Sequence, residues 1–308
     1  MSQVTDFSSV VILNSKSGTG SKSDIQHRLK SLASTLGVKC DIVNSRTPAE
    51  VIEAARHAAR SSHDVVIAGG GDGTINAVAS ELVGTGKRLG VLPLGTFNYF
   101  AREMGVPADL DSAFRTCFEG EPRSVTVGEV NGQVFLNNAS IGLYPVILAV
   151  REQMYRRWGR ARLVAYWSAL TALFRPGLNM KLTVTLNGER RIIRTPLLFV
   201  ARNATQLEEF GVPGVRCVGE DGFSVYALKA LGRLELIRVA WRTFIGKLKP
   251  QYDFDMICTG EMHVESRRML RTLAFDGERV KMLAPLEFRV RQDALSILVP
   301  KKEEEVAA

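Results

Sequence analysis

The sequence lacks features that mark several classes of protein. Its 308 residues include only four cysteines, far apart and without Cys-x-x-Cys or Cys/His spacing. Neither a zinc site nor a disulfide framework is therefore predicted, and a reducing compartment fits best. No run of about 18 uncharged apolar residues occurs, which argues against a spanning helix. The first residues also lack the basic-then-apolar layout of a signal peptide.

Composition and charge narrow the choice further. Hydrophobic residues make up 45% and charged residues 23% of the chain, which is typical of a globular protein and excludes wholesale disorder. Lysine and arginine total 40 against 32 acidic residues, a formal charge of +8. This excess favours an anionic partner: nucleic acid, a phosphate-bearing ligand or an anionic membrane.

The first third of the chain alternates strand-like and helix-like segments. Apolar segments at 10–13, 64–68 and 89–92 are typical of strands buried on both faces. A helical spacing of apolar residues follows the first of them. Another helix is predicted to begin at Thr47, which can act as the N-cap before Pro48. This alternation predicts a parallel α/β domain.

After about residue 121 the pattern becomes antiparallel. Asn131-Gly132 and Asn187-Gly188 each lie between strand-like segments, which is the strongest short signal for a β-hairpin. Strands are also predicted at 133–138, 197–201, 223–228, 256–264, 279–282 and 286–290. The second part of the chain is therefore predicted to be a separate β-rich domain.

A glycine-rich loop at 69–74 lies where a predicted strand ends and a helix begins. Backbone N–H groups and the helix dipole favour a phosphate at such a place, and glycine lets a ligand approach the main chain. Asp72 within the loop indicates a metal ion or a proton acceptor. The alternative is an ordinary tight turn with a capping aspartate. A Ser/Gly loop after the first strand and a Gly-Thr turn at 95–96 favour the phosphate site, because such loops open at the same sheet edge.

Four ordered motifs resemble those of the diacylglycerol kinase catalytic family, which includes bacterial lipid kinases and sphingosine and ceramide kinases. They are Asn-Ser-Lys-Ser-Gly at 14–18, Gly-Gly-Asp-Gly-Thr-Ile-Asn at 70–76, Leu-Pro-Leu-Gly-Thr-Phe-Asn at 92–98 and Asp-Gly-Glu at 276–278. The resemblance implies an ATP-binding α/β domain at 1–121, completed by 289–308. It also implies a lipid-binding antiparallel β-sandwich at 122–288, with ATP in the cleft between the two.

The resemblance also implies roles for individual residues. Asp276 would be the general base that deprotonates a lipid hydroxyl, with Glu278 beside it, and Asp72 would hold Mg²⁺ or orient the acceptor. The residues expected to contact ATP are Asn14, Ser15, Lys16, Ser17, Gly18, Thr47, Gly70, Gly71, Asp72, Gly73, Thr74, Ile75, Asn76 and Thr96. A structural Mg²⁺ is expected at Asp221 and the carbonyls of Val218 and Phe223.

Two positions depart from the family pattern. Ser15 stands where relatives usually carry proline, and Tyr99 stands where many carry an acidic residue. Neither departure removes one of the expected catalytic carboxylates. The tyrosine could change how the acceptor or the nucleotide is held.

Two helix-like segments, 145–178 and 231–249, combine aromatic residues with many cations and few acids. Such helices can lie on an anionic bilayer, where each nearby cation contributes about 1 kcal/mol. The alternative is that their apolar faces are core and their cations a solvated surface. No nucleic-acid-binding module accompanies the charge. We therefore expect the protein to associate peripherally with the cytoplasmic face of the inner membrane. A homodimer is also possible, because an exposed strand edge in the β-rich domain could pair with a second copy.

The leading hypothesis is an ATP- and Mg²⁺-dependent lipid kinase that phosphorylates the hydroxyl of a membrane lipid such as diacylglycerol or a sphingolipid. A soluble-substrate kinase of the same superfold, such as NAD kinase, is the first alternative. A non-enzymatic, nucleotide-sensing membrane binder is the second. The sequence does not identify the lipid.

Overall fold

The computed structural model describes residues 8–14, 22–158, 171–173, 175, 177–186, 188–229 and 232–301. The chain divides into two compact units. The first comprises the described residues up to Val127 together with those from Gln292, and the second is Gly128–Arg291. Strands β5 (Glu121–Val130) and β16 (Leu286–Val299) each begin in one unit and end in the other.

The first unit is built on a parallel sheet with the strand order β2-β1-β3-β4-β16. Its strands are β1 (Ser9–Asn14), β2 (Cys40–Ser45), β3 (Val65–Gly70), β4 (Arg88–Pro93) and the last part of β16. Its helices are α1 (Lys22–Leu36), α2 (Pro48–Arg60), α3 (Asp72–Leu82), α4 (Tyr99–Glu103) and α5 (Leu110–Glu119). Ser296 and Ile297 of β16 pair in parallel with Arg88 and Leu89 of β4.

Local sequence explains these elements well. All six residues of β3 are buried, as expected for a central strand of a parallel sheet. Helix α2 begins where the sequence predicts: the Thr47 hydroxyl accepts from Glu50 N at 3.2 Å, and Pro48 occupies the first turn. The Glu50 carboxylate accepts from Arg46 N at 2.7 Å, and this hydrogen bond lowers the pKa of Glu50.

The second unit contains two antiparallel sheets. One has the order β12-β11-β10-β7-β14-β15, and the other joins β16, β13, β8 and β9, with β5 and β6 attached. The remaining strands are β6 (Gln133–Phe135), β7 (Asn138–Gly142), β8 (Met180–Leu186), β9 (Glu189–Thr195), β10 (Leu197–Ala201), β11 (Phe223–Leu228), β12 (Phe254–Thr259), β13 (Glu261–Ser266), β14 (Leu270–Phe275) and β15 (Glu278–Leu283). The named helices are α6 (Leu143–Trp158), α7 (Ala204–Glu209), α8 (Val215–Gly219) and α9 (Arg233–Phe244).

Side chains of both sheets share one hydrophobic core, which makes this unit a β-sandwich. Phe135, Leu182, Val200 and Phe223 are among its fully buried members. The Asn131-Gly132 hairpin forms as predicted, with positive φ at both residues. The predicted fold class, a parallel α/β part followed by an antiparallel β-sandwich, is confirmed.

Two strands predicted as continuous are each broken. The segment 133–138 divides into β6, which ends at Phe135, and β7, which begins at Asn138 in the other sheet. The segment 256–264 likewise divides around Gly260 between β12 and β13. At both places the chain passes from one sheet to the other within a stretch that stays largely apolar. The hydrophobic pattern alone therefore does not show where one strand ends and the next begins. Strand β14 was not predicted at all.

The sequence predicts no disulfide framework, whereas Cys217 and Cys258 form a disulfide with Cα atoms 5.5 Å apart. They are separated by 41 residues, a spacing that carries no signal in the sequence. The register of β11 with β12 sets Cys258 opposite Ser224, shortly after α8 in the chain. Cys40 and Cys117 are free.

The described parts of the basic, aromatic segments are mainly helical. Helix α6 covers the start of the first segment, while 159–170, with Arg160, Arg162, Tyr166 and Trp167, lie outside the described residues. Helix α9 covers most of the second. Among the described residues, no helix combines the length and the apolar character needed to cross a bilayer.

Candidate functional site

The first unit brings two of the predicted nucleotide-binding motifs together. Strand β3 ends at Gly70 and α3 begins at Asp72, with Gly71 as an N-cap that has no side chain to offer. Asn14 Nδ2, at the end of β1, donates to Thr74 Oγ1 at 2.8 Å. The end of the first strand and the glycine-rich turn are therefore direct neighbours. Ser15, Lys16, Ser17 and Gly18 lie outside the described residues.

The second glycine turn lies directly against the first. A Cβ added to Gly95 would come within 2.5 Å of the Gly71 Cα, so only glycine fits. Asn98, in a left-handed conformation, closes this turn: its Oδ1 accepts from Gly95 N at 3.0 Å and its Nδ2 donates to Pro93 O at 3.1 Å. Thr96 is exposed at the tip of the turn.

Asp72 joins the two turns as well. Its Oδ1 accepts from Phe100 N, near the start of α4, at 3.3 Å. Ile75 and Asn76 are buried behind the turn in the first residues of α3. The carboxylate thus lies at the N-terminal end of a helix, where an anion is favoured.

Tyr99, which replaces an expected acidic residue, is a packing residue. It is the first residue of α4, it is buried, and its ring stacks on Phe97 with centroids 5.5 Å apart. The Arg102 guanidinium lies 5.8 Å from the centroid of the same ring. The aromatic pair therefore places an apolar surface beside the second glycine turn.

The resemblance also implies that Thr47 contacts ATP, although the residues around it match the family motif less closely. In the structure its hydroxyl caps α2 by accepting from Glu50 N. This contact accounts for a threonine at this position without a nucleotide.

In the second unit, Asp276 and Gly277 form the two-residue turn between β14 and β15. Both have positive φ, 45° and 88°, and Phe275 pairs with Glu278 across the turn. An Asp-Gly pair is well suited to this turn type. A plain β-hairpin turn therefore describes this backbone, but it does not account for the contacts of the Asp276 side chain.

The Asp276 carboxylate is buried and bound by three backbone N–H groups. Oδ1 accepts from Asn137 N at 2.8 Å and Asn138 N at 2.9 Å, and Oδ2 accepts from Leu136 N at 2.8 Å. These donors belong to the crossing between β6 and β7. The break in the predicted strand at 133–138 therefore creates the binding site for this carboxylate.

Two ionisable groups beside the hairpin have altered proton affinity. Partial burial raises the pKa of Glu278, although the residue still has exposed surface, and the Glu152 carboxylate adds to the rise. Burial raises the pKa of the Tyr144 hydroxyl, against an opposing contribution from Arg151, and the charge of Asp276 raises it further.

A buried polar network supports the amides around Asp276, and the sequence did not reveal it. Asn137 Oδ1 accepts from Asn203 Nδ2 at 2.8 Å, and Asn138 Nδ2 donates to Gln206 Oε1 at 2.9 Å. All four side chains are buried. The only signal available was the polar pair 137–138 inside an otherwise apolar stretch.

The residues predicted to hold a structural Mg²⁺ contact an arginine. Arg202 Nη1 donates to Val218 O at 2.9 Å, and Nη2 donates to Asp221 Oδ1 at 3.1 Å. Phe223 is the first residue of β11 and pairs with Thr259. The Arg202 guanidinium thus occupies two of the three oxygen ligands that were expected to bind the metal. The residues of this turn therefore do not fit a metal ion.

Comparison with known proteins agrees with the motifs of the first unit. The sequence profile described as the diacylglycerol kinase catalytic domain matches residues 8–130. Over residues 8–130 the chain is therefore similar to the diacylglycerol kinase catalytic-domain family. The resemblance found in the sequence is thereby confirmed.

Individual relatives align over the same kind of segment. The diacylglycerol kinase of Bacillus subtilis (strain 168) is 45% identical over 96 residues, which is 30% of this chain and 32% of the relative. A YegS-like protein of Klebsiella pneumoniae (strain 342) is 48% identical over 82 residues, or 26% and 28% of the two chains. The alignments thus span about a third of these relatives' lengths.

Solved structures extend the likeness of fold to nearly the whole chain. A diacylglycerol kinase from Bacillus anthracis strain Sterne has a TM-score of 0.68 at 19% identity, covering 96% of this chain and 98% of that one. Another structure from the same strain has a TM-score of 0.74 at 20% identity, covering 97% and 100%. Both likenesses concern the fold.

Proposed function

We propose that the protein is a lipid kinase that transfers the γ-phosphate of ATP to the hydroxyl of a membrane lipid. The observation that carries the proposal is Asp276: a buried carboxylate fixed by three main-chain N–H groups on a hairpin turn. The family of residues 8–130 supports the same reaction class.

ATP fits the two glycine turns of the first unit. Gly71 leaves the start of α3 without a side-chain cap, and Gly95 leaves no room for a Cβ beside it. An uncapped helix N-terminus next to close-packed glycine backbone is suited to phosphate oxygens. We propose that residues 70–76, Asn14 and Thr96 hold the nucleotide, which supplies the phosphoryl group.

Asp276 is suited to receive the proton of a lipid hydroxyl. Its surroundings supply three hydrogen-bond donors, so they stabilise the carboxylate form and fix its orientation. A base held in the ionised form can accept the proton as the hydroxyl oxygen attacks phosphorus. Glu278, on the other side of the Asp-Gly turn, is proposed to assist as a nearby carboxyl group.

Mg²⁺ is proposed to act with the nucleotide, where it would neutralise charge on the phosphates. Asp72 is the candidate ligand, because its carboxylate lies at the start of α3 and is fixed by Phe100 N. The turn at 218–223 is not included in this role, since Arg202 contacts its oxygen atoms.

Helix α9 is proposed to rest on an anionic membrane. Leu236 and Val239 on one face are buried, whereas Leu234 is 82% exposed and Trp241 63% exposed on the other. Arg233, Arg238, Lys247 and Lys249, on or just after the helix, are exposed and positively charged. An aromatic and aliphatic face bordered by cations complements a bilayer surface of negative charge. Peripheral attachment at the cytoplasmic face of the membrane is part of this proposal.

Arg242 has a different role from the other cations of α9. Its Nη1 lies 2.7 Å from Oδ1 of Asp253, which is almost fully buried. Asp253 Oδ2 also accepts from Lys249 N at 2.8 Å. This ion pair holds the segment after the helix, so Arg242 is not counted in the membrane-facing charge.

The double substitution Leu234→Ser and Trp241→Ser is expected to weaken binding to phosphatidylserine-containing vesicles at least about tenfold. Two large apolar side chains contribute roughly 1.5–3 kcal/mol each when fully buried, and part of this is lost. Flotation measures the bound fraction. The control is Ile192→Ser, which removes an equally exposed apolar side chain, 63%, from β9. Equal binding of both variants and the wild type would exclude α9 as the docking face.

Assays that offer either a lipid acceptor or a soluble acceptor test the proposed function. Purified protein receives labelled ATP, Mg²⁺ and either mixed micelles of diacylglycerol, sphingosine and ceramide or soluble NAD. We expect phosphate transfer only to lipid. Transfer to NAD without lipid would instead support a soluble-substrate kinase. Vesicle binding with no transfer to any acceptor would support the nucleotide-sensing membrane binder.

A further inference from the structure

Among the arginines of the second unit whose burial the structure describes, Arg202 is the most deeply buried, and the proposed chemistry does not use it. It follows β10, and 8% of its surface is exposed. Its two terminal nitrogens contact two different parts of one turn: the carbonyl of Val218, at 2.9 Å, and the carboxylate of Asp221, at 3.1 Å. The guanidinium therefore bridges a main-chain oxygen and a side-chain oxygen that converge on it.

The turn itself has a conformation that directs oxygen atoms toward a cation. Asp221 has φ of 57°, in the left-handed region, and its N–H donates to Val218 O at 3.2 Å. A carbonyl and a carboxylate held together in this way are ligands that Mg²⁺ also prefers. The arrangement thus needs a positive charge, and either an arginine or a metal ion can supply it.

The geometry favours the arginine. Mg²⁺ would have to lie about 2.1 Å from each ligand oxygen, which would place it next to guanidinium nitrogens that already contact the same atoms. Asp221 provides one negative charge for what would become two cations. Within the part of the chain that the structure describes, no group of three or more acidic, histidine or cysteine side chains forms a metal site.

Arg202 also connects this turn to the amides that bind Asp276. Its own N–H donates to Asn137 O at 2.8 Å, while Asn137 N donates to Asp276 Oδ1, also at 2.8 Å. The next residue, Asn203, donates through Nδ2 to Asn137 Oδ1. One continuous set of hydrogen bonds therefore runs from Asp221 through Arg202 to Asp276.

We propose that the Arg202 guanidinium is the permanent counter-ion of the 218–221 turn and replaces a metal ion there. The turn is then folded and charge-balanced without Mg²⁺ or Ca²⁺. The backbone N–H of Arg202 also holds Asn137, whose own N–H binds Asp276, but the counter-ion role depends on neither this contact nor the proposed function.

The test uses the full chain without nucleotide or lipid, so that its outcome is independent of catalysis. Thermal unfolding is followed in excess chelator, in millimolar MgCl₂ and in millimolar CaCl₂. The proposal predicts the same Tm in all three solutions. A wild-type Tm that rises by several degrees with either metal and falls with chelator overturns the proposal.

Substitution at Arg202 makes the test sharper. Arg202→Met keeps an unbranched side chain that can occupy the path of the arginine stem and removes the guanidinium, so we expect Tm to fall by roughly 5–10 °C in chelator. Millimolar Mg²⁺ is expected to restore part of the loss, and Asp221→Asn added to Arg202→Met is expected to abolish the rescue. The matched control is Arg216→Met, which removes an exposed arginine of α8 that pairs with Glu220 and should change neither Tm nor its metal response. If metal raises the Tm of Arg216→Met and Arg202→Met equally, the proposal is contradicted. If Arg202→Met does not fold, the Tm of the wild type in chelator, MgCl₂ and CaCl₂ decides the question.

Discussion

Asp276→Asn is expected to lower kcat for lipid phosphorylation at least about 10³-fold. The substituted amide cannot take the proton of the attacking hydroxyl. The same variant is also expected to lose about 1–3 kcal/mol of stability, because an amide nitrogen would face a backbone N–H that now donates to the carboxylate. At present Leu136 N donates to Oδ2, and Asn137 N and Asn138 N both donate to Oδ1. Steady-state kinetics and thermal unfolding measure the two losses.

A matched control separates this site from the effect of removing any aspartate charge. Asp293 also has positive φ, 48°, but its side chain is exposed. Asp293→Asn is expected to retain both kcat and Tm, since asparagine tolerates the left-handed conformation. A variant Asp276→Asn that keeps more than a tenth of wild-type kcat would remove Asp276 from the role of general base.

Gly95→Ala is expected to weaken ATP binding at least about tenfold, because the added methyl group forces apart the two turns that are proposed to hold the phosphates, at a cost of about 1–3 kcal/mol. The new Cβ would lie 2.5 Å from the Gly71 Cα and 2.7 Å from Asn98 Oδ1. The Gly71 Cα is a backbone atom and the Asn98 amide is held by hydrogen bonds to Gly95 and Pro93, so the two turns must separate. The overpacking is also expected to cost about 1–3 kcal/mol of stability. Calorimetric titration with Mg-ATP measures the affinity directly.

Gly260→Ala is the control for this substitution. Its Cβ would lie 3.6 Å from the Val290 side chain, an ordinary contact. This variant is expected to bind Mg-ATP like the wild type. If Gly95→Ala also bound Mg-ATP with unchanged affinity, the close approach of the two glycine turns would have no part in holding the nucleotide.

The strand-turn-helix context of the glycine motif at 70–76 could be predicted from sequence because it is local. Glycine, aspartate and threonine at 70–76 follow a buried strand directly, and the strand-turn-helix order fixes where they lie. The Asn14–Thr74 hydrogen bond joins residues 60 positions apart, yet it follows from the two parallel strands β1 and β3 ending at one edge. Parallel topology therefore turned two local patterns into one predicted site.

The surroundings of Asp276 could not be predicted in the same way. The Asp-Gly turn is a local signal, but the amides that bind its carboxylate come from residues 138 to 140 positions earlier in the chain. They are available only because the chain leaves one sheet at Phe135 and enters the other at Asn138. A hydrophobic pattern shows which residues are buried but not which sheet a strand joins. Neither the crossing from β6 to β7 nor the N–H groups that it directs at Asp276 could therefore be predicted.

Arg202 and the cysteine pair illustrate the same limit. Arg202 follows a correctly predicted strand, and nothing in its neighbours shows that Asp221 will lie against it. Cys217 and Cys258 meet because β11 and β12 pair in one particular register. Contacts set by strand register in an antiparallel sandwich depend on the complete topology, whereas caps, hairpin turns and glycine loops depend on a few consecutive residues.

The most direct test of the central claim is the rate of phosphate transfer from labelled ATP to a lipid alcohol in mixed micelles. Wild-type protein and the Asp276→Asn and Asp293→Asn variants are compared at equal folded concentration. The proposed function predicts a labelled phospholipid with the wild type and with Asp293→Asn, and at least a 10³-fold lower rate with Asp276→Asn. Absence of transfer to diacylglycerol, sphingosine and ceramide by the folded wild type, with Mg²⁺ present, would contradict it.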